Sequence, residues 1–529
     1  MPDAVVIGAG PNGLVAANLL ADAGWDVEVL EAQQEPGGAV RSDRGVHPDY
    51  VSDLFSAFYP LAAVSPVLAC LDLAAEGLRW SHAPRVLAHP LRDGRCAVLE
   101  RRVQETASGL EEFASGDGDT WRDMYEVWSR IGRELVRAMF TPFPPVRSGL
   151  RLTAKLRAAG GLRLARKLAL PVRRLGDEEF RGEGGRLLLA GNALHADLAP
   201  EAVGSGGFGW LMSMVGQSHG FPVPVGGAGA LTAALVSRLR HRGGVLRCGE
   251  RVVSVVVRGG RAVGVRTAGG ETVSARRAVL ADTTAPALYR ELVGEEHLPP
   301  RLLRDLERFQ WDFATFKVDW ALTGPVPWTA PQAADAGTVH VADGMDSLTR
   351  FASQIAMGHV PDEPFALFGQ MTTADPSRSP VGTESAWAYT HVPQHITSDA
   401  GPDRITGRWD AREQEAMADR IEAQVERFAP GFRTRILARR ILAPTTLQAM
   451  NENLHNGAIN NGTAALHQQA VFRPVPGTGR PETPLKGLYL ASAAAHPGGG
   501  VHGAPGANAA RAALRPYALH TLLHRAQRI

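Results

Sequence analysis

AVVIGAGPNGLVAANLLADAGWDVEVLE, residues 4–31, is the stretch on which the fold turns. A short apolar run leads into Gly8-Ala9-Gly10-Pro11-Asn12-Gly13, an Ala/Leu-rich run follows, and a second apolar run ends at Glu31. The order is strand, glycine turn, helix, strand, a βαβ unit carrying the G-x-G-x-x-G pattern on its first turn. Gly8 permits the tight turn, Gly10 lets the backbone approach a pyrophosphate, and Gly13 allows the helix to pack close to the strand. The helix N-terminus presents N–H groups and partial positive charge to a phosphate, and Glu31 accepts hydrogen bonds from a ribose. Together these parts predict a dinucleotide site. A second match, Gly204-Ser205-Gly206-Gly207-Phe208-Gly209, has no preceding strand and no suitably spaced acid, so it reads as a loop.

The rest of the chain bounds what that site can serve. With 529 residues, 44% hydrophobic and 21% charged, the composition is that of a globular protein of two or three domains. A net charge of +2 provides no basic field, which argues against nucleic-acid binding. Only Cys70, Cys96 and Cys248 occur, none in a C-x-x-C pair, so neither a metal centre nor a disulfide framework is expected and a cytoplasmic setting is the simplest reading. No secretory signal is read at the N-terminus, and the most apolar long stretch, residues 55–78, is broken by Pro60, Pro66 and Asp72.

Residues 105–175 have helical apolar spacing and end in a segment, 147–174, with nine basic residues, no acidic one, and interleaved leucines. Such a segment suits either a helix pair packed on the protein or an amphipathic element on an anionic membrane. A helix over 230–242, an antiparallel meander and a strand at 278–281 follow, then mixed strands and helices over 312–475. The last 45 residues predict a strand, a glycine-rich loop and a helix from about Gly506. That order aims a helix N-terminus, near Gly506 and Asn508, at a ligand passing Gly500.

Paired glycines in EPGGAVRS, residues 35–42, let backbone lie against a ligand, and Arg41 can meet a phosphate. GAGPNG, EPGGAVRS, PVGGAGAL (224–231) and GLYLASAAAHPGGGVHGAPGANAA (487–510) together resemble the phytoene-desaturase-like FAD-dependent oxidoreductases. That group holds carotenoid desaturases and ketolases, retinol saturase, and the pyridine nucleotide-disulfide oxidoreductase domain-containing protein 2 type. The resemblance implies FAD held by Gly8, Gly10, Gly13, Glu31, Gly37, Gly38 and Arg41, with the Val252 backbone meeting adenine. It implies an α/β fold: a Rossmann-like FAD-binding domain (1–70, 222–290, 484–529) with a discontinuous mixed α+β substrate domain (71–221, 291–483). In one departure, Asp53-Leu54-Phe55 stands where relatives often have Asp followed closely by Gly.

Acid–base candidates are His496 and His502 beside the triple glycine, and His467 in LHQQAVFRP. Amine oxidases of similar fold use a lysine-held water near the flavin, which brings in Lys317. On the strand FATFKVDWALTG, however, Phe316, Val318 and Trp320 share one face and Thr315, Lys317 and Asp319 the other, so Lys317 is expected on the solvent side. Phe55, Phe58, Trp210, Phe316 and Trp320 are the expected apolar wall of a substrate pocket. The expected activity is FAD-dependent hydride removal from carbon of an apolar isoprenoid- or polyketide-like molecule, with oxygen or a quinone as electron acceptor. Amine oxidation, and a flavin-containing interaction protein with little turnover, are the competing readings. The expected location is cytoplasmic, with peripheral membrane contact as an extension of the basic segment.

Overall fold

The computed structural model describes residues 1–158 and 160–526. Ala4–Ile7, buried at every position, lies at the centre of a parallel five-stranded sheet. Its order is Leu488–Leu490, Ala278–Ala281, Ala4–Ile7, Val27–Glu31, Val245–Cys248. Parallel strands need cover on both faces. Ala4, Val6, Val27 and Val29 pack into the main core with helices Pro11–Asp22, Gly229–His241 and Ala504–Ala526. Val5, Ile7, Leu30 and Val279 point the other way, onto Val255 and Val265 of the antiparallel meander Val252–Arg258, Arg261–Thr267, Thr272–Ser274.

The second sheet has seven strands, in the order Ile436–Leu442, Ala314–Leu322, Glu384–Val392, Ala366–Gln370, Ala336–Val341, Arg85–Pro90, Cys96–Leu99. All its pairs are antiparallel except that of Ala336–Val341 with Arg85–Pro90. Ala314–Leu322 is buried along all nine residues. The alternation sorts its residues correctly into two faces, but both faces are covered. Phe316, Val318 and Trp320 enter a core with Met417, Ile421 and Val425 of helix Ala411–Glu426. Thr315 and Lys317 face a cavity instead. Phe316 and Trp320 are therefore core rather than substrate wall, and Lys317, 2% exposed, is not on the solvent side.

The basic segment forms helices Val146–Ala158, Leu162–Ala169 and Val172–Glu179. The second glycine string is not a loop: it starts the helix Ser205–His219. A Cβ on Gly206, Gly207 or Gly209 would lie 2.7, 2.6 or 2.3 Å from the backbone oxygens of Leu170, Leu168 and Leu189. Those glycines exist for close packing of chain on helix. Among the described residues no helix is long and apolar enough to cross a membrane.

Candidate active site

A cavity of about 320 Å³ is lined at once by the first glycine turn, by residues 55–61, by the second sheet, by residues 459–462 and by the C-terminal glycine loop. The turn is built by close approach. A Cβ on Gly13 would sit 2.2 Å from Gly8 O, and one on Gly10 would sit 2.6 Å from Asp282 Oδ2. Gly38 has φ +53° and would place a Cβ 3.0 Å from Gly10 Cα, so the two glycine segments face each other with no side chain between. Gly37 is held there by its N–H donating to Ala9 O at 2.8 Å.

Two carboxylates close the turn from below. Glu31 accepts the N–H of Ala9 (2.7 Å) and of Gln33 (2.9 Å), and Asp282 Oδ2 accepts the N–H of Gly13 (2.8 Å). Burial pushes the Asp282 carboxyl up to about 7, its bond to Gly13 opposes the rise, and the charge of Glu31 adds to it. Arg41 donates to Gly38 O (3.1 Å) and Met450 O (2.9 Å) and lies over the Phe55 ring, so its guanidinium braces the EPGG segment. Gly249 and Glu250 donate N–H bonds to Gln33 O and Glu31 O, which brings the start of the Val252 strand alongside Glu31.

In the C-terminal loop Gly500 lines the cavity, whereas Gly506 and Asn508 do not. A Cβ on Gly506 would fall 1.9 Å from Asn12 O, and Asn508 Nδ2 donates to Phe140 O at 3.3 Å. Both hold the last helix against its neighbours. The three expected histidines also lie off the cavity lining. His502 stacks on Phe140 (4.5 Å between centroids), donates Nε2–H to Gly499 O (3.2 Å), and accepts the Ala504 N–H at Nδ1 (3.1 Å). Burial pulls its pKa down to about 4, which keeps it neutral and fits that donor–acceptor pattern. His496 bonds Thr141 O (3.0 Å), and exposed His467 bonds Gln310 Oε1 (3.0 Å). Each braces a loop.

Phe55 and Phe58 line the cavity as expected; Trp210 does not, being turned to Trp128 with its indole N–H on Met124 O. Reading the sequence did not place His195, Tyr389, Trp387 or Lys317 in the lining. Lys317 Nζ donates to Asp53 O (2.8 Å) and is ion-paired with Asp319, whose other oxygen meets Arg440 at 2.8 Å. Asp53 in turn accepts from Ser42 Oγ, from the Ala228 N–H and from Arg378, tying EPGGAVRS to PVGGAGAL. This clamp stiffens a loop that carries Leu54 and Phe55 where a glycine is common.

The cavity offers a bound group what an FAD needs. Gly10 and Gly38 leave room for close backbone approach, and the turn opens a helix N-terminus. Asn12 Oδ1, Asn460 Nδ2 and Asn461 Oδ1 are buried without partners on residues that line it. A model of the family described as flavin containing amine oxidoreductase matches residues 12–514. The chain belongs to that family. Like other members of the flavin containing amine oxidoreductase family, it is an FAD-dependent oxidoreductase. It is 28% identical to the pyridine nucleotide-disulfide oxidoreductase domain-containing protein 2 of Rattus norvegicus, over 97% of this chain and 93% of that one. It is 26% identical to a lycopene-forming phytoene desaturase of Pseudescherichia vulneris, over 97% and 99%. In fold it is similar to cyclohexylamine oxidase from Brevibacterium oxydans, with a TM-score of 0.59 at 15% identity over 98% of this chain and 99% of that one. Its own cysteines, Cys70, Cys96 and Cys248, are all free. Among the described residues no cluster of three or more His, Cys, Asp or Glu is placed to hold a metal.

Proposed function

We propose that this protein removes a hydride from a carbon atom of an apolar small molecule. The observation that supports the reading most is the chamber lining: Phe58, Phe208, Met212, Leu367 and Trp387 meet the glycine turns in one cavity. Apolar walls bury an apolar ligand at about 25 cal/mol per Å² and exclude water from the reacting carbon. FAD, when bound, would supply the two-electron acceptor for the hydride, with oxygen or a quinone as the final acceptor. Gly8, Gly10, Gly13, Gly37 and Gly38 would give its pyrophosphate the close backbone approach it requires, Glu31 and the Val252 backbone would meet its ribose and adenine, and Gly500 would lie on the cavity side of its ring. Arg41 acts by holding the Gly38 backbone.

An amine substrate fits less well. The one carboxylate in the lining, Asp282, is engaged under the glycine turn, so an alkylammonium group finds no free anionic partner; Lys317 on the cavity wall, ion-paired with Asp319, is the feature that keeps amine oxidation as the second reading. The phytoene desaturase relative acts, by its name, on a carbon skeleton. Anaerobic mixing of the purified protein with isoprenoid lipids and, separately, with primary and secondary amines tests the reading through flavin absorbance. Bleaching by an isoprenoid is the expected result. Bleaching by amines alone, with aldehyde release, would replace this reading by amine oxidation, and bleaching by neither would favour an interaction protein with little turnover.

A further inference from the structure

The sheet wall of the chamber carries polar groups for which hydride removal has no use. Register places Lys317 opposite Tyr389, Tyr389 opposite Leu367, and Leu367 opposite His340, so all four share one face of the sheet. Tyr389 and His340 thus start roughly 10 Å apart, two strand spacings, on the same wall. His195, the cap of helix Glu183–Leu194, comes down onto that row, its Nε2 2.7 Å from His340 Nε2. Gly191 of the same helix makes the room, since a Cβ there would lie 2.0 Å from His340 Nδ1.

The hydrogen bond between the rings fixes what His195 offers. Burial pulls the pKa of His195 down to about 3 and that of His340 well below its ordinary value, so both rings are neutral and each carries one proton. His340 Nδ1 is buried without a partner against Gly191. A proton there would be an orphaned buried donor, which costs more than a bare ring nitrogen, so the proton of His340 sits on Nε2 and is donated to His195. His195 then carries its own proton on Nδ1, for which there is no hydrogen-bond partner among the described residues, and His195 lines the chamber. Tyr389, whose hydroxyl burial keeps protonated and for which no side-chain hydrogen bond is found among the described residues, offers a second donor from the same lining. Thr338 adds a hydroxyl that is likewise unpartnered.

We infer that His195, oriented by His340, binds together with Tyr389 a neutral acceptor oxygen, a carbonyl or hydroxyl, on an otherwise apolar substrate. This rests on the apolar-chamber reading above and adds to it a specificity that a pure hydrocarbon does not satisfy. A hydrocarbon leaves two desolvated donors unpaired, whereas an oxygenated analogue pairs them, which is the way a built polar site rejects a ligand lacking the matching group. The rings are neutral, and the two cations of the lining, Lys317 and Arg473, are already held by Asp319 and by backbone oxygens, so the donors left free at this wall are neutral ones and match an uncharged oxygen.

The test uses the FAD-loaded protein and three C15 probes of one skeleton, β-farnesene, farnesol and farnesal, with dissociation constants read from the shift of the flavin absorbance. Farnesal and farnesol are expected to bind about tenfold or more tighter than β-farnesene. His195→Leu should bring the ratio close to one by weakening only the oxygenated probes, and His195→Gln, which keeps a donor, should restore much of it. Tyr389→Phe gives an independent partial loss and serves if His195→Leu fails to retain FAD. Equal binding of all three probes to the wild type, or an unchanged ratio in His195→Leu or Tyr389→Phe, overturns the oxygen assignment and leaves the apolar-chamber reading standing. Failure of every probe to perturb the flavin defeats the chamber reading and this inference with it.

Discussion

Lys317 and Asp282 show how burial changes what a charged residue does. Lys317 is wedged between Asp53 O and Asp319, and Asp319 is shared with Arg440. Removing the lysine leaves Asp319 with Arg440, whereas removing the aspartate strands a lysine that is 2% exposed. Asp319→Leu should therefore cost about 3–5 kcal/mol and Lys317→Met distinctly less, with the double variant below the sum. Urea denaturation measures this, and a reversed order would count against the pairing. Asp282 titrates at about 7 in the folded chain against an ordinary 3.8, so the folded state holds a proton that the unfolded state releases. Its contribution to stability is complete below about pH 4, declines as pH rises to about 7, and is flat above. Asp282→Asn removes this dependence, so its melting temperature should gain on that of the wild type across pH 4 to 7 in thermal scans. A constant difference between the two would place the Asp282 pKa near its ordinary value.

At the scale of elements, the basic helices divide into two kinds. Leu162–Ala169 is a packing element: Leu164 is buried, Arg166 pairs with Glu178, Lys167 with Glu179, and Leu168 O rests on Gly207. Val146–Ala158 leaves Val146 and Leu150 62% and 70% exposed, and Leu162 beyond it is 89% exposed. Arg147, Arg151, Lys155 and Arg163 have no ion pair among the described residues. The chain enters this helix from Phe140 and Thr141, which touch His502 and His496 of the glycine loop. Contact of this corner with an anionic bilayer would bring apolar ligands close to the chamber. The expected outcome is sedimentation with phosphatidylserine vesicles that is lost when these four residues become Gln and kept when Arg166 and Lys167 do. Absence of binding by the wild type would make the exposed leucines plain surface.

For the whole molecule, the decisive fact is that two sheets from interleaved segments enclose one chamber. The glycine turn of the βαβ unit, residues 8–13, and the glycine loop 498–503 before the last helix both belong to that chamber, and Gly206, Gly207 and Gly209 are spent on packing against backbone oxygens. A nicotinamide dinucleotide thus finds no second cradle among the described residues. Stopped-flow mixing with NADH or NADPH under anaerobic conditions should give slow, non-saturating flavin reduction, and fast saturable reduction would contradict it.

The local signals in the chain were enough for the βαβ unit, the Gly10 and Gly38 approach, the C-terminal strand and helix, and the family. Each is encoded by glycines at fixed offsets between apolar runs, and a glycine that must admit a backbone is recognisable without knowing the rest of the fold. Period-two alternation likewise sorted Phe316 and Trp320 from Lys317. Which face met the cavity was outside its reach, because a strand covered on both sides has no solvent face to define the inside. The histidines went the same way: His496 and His502 sit beside the glycines in sequence yet cap and brace the loop, while His195 ends an apolar helix as any core histidine might. Its place on the chamber wall comes from His340 and Gly191, and from strand register joining residues 317, 389, 367 and 340. At the βαβ turn backbone conformation is a local property that sequence by itself determined; the helix begun by Gly206, Gly207 and Gly209, the direction a side chain faces, and the proton it offers there were decided by contacts between segments far apart in the chain.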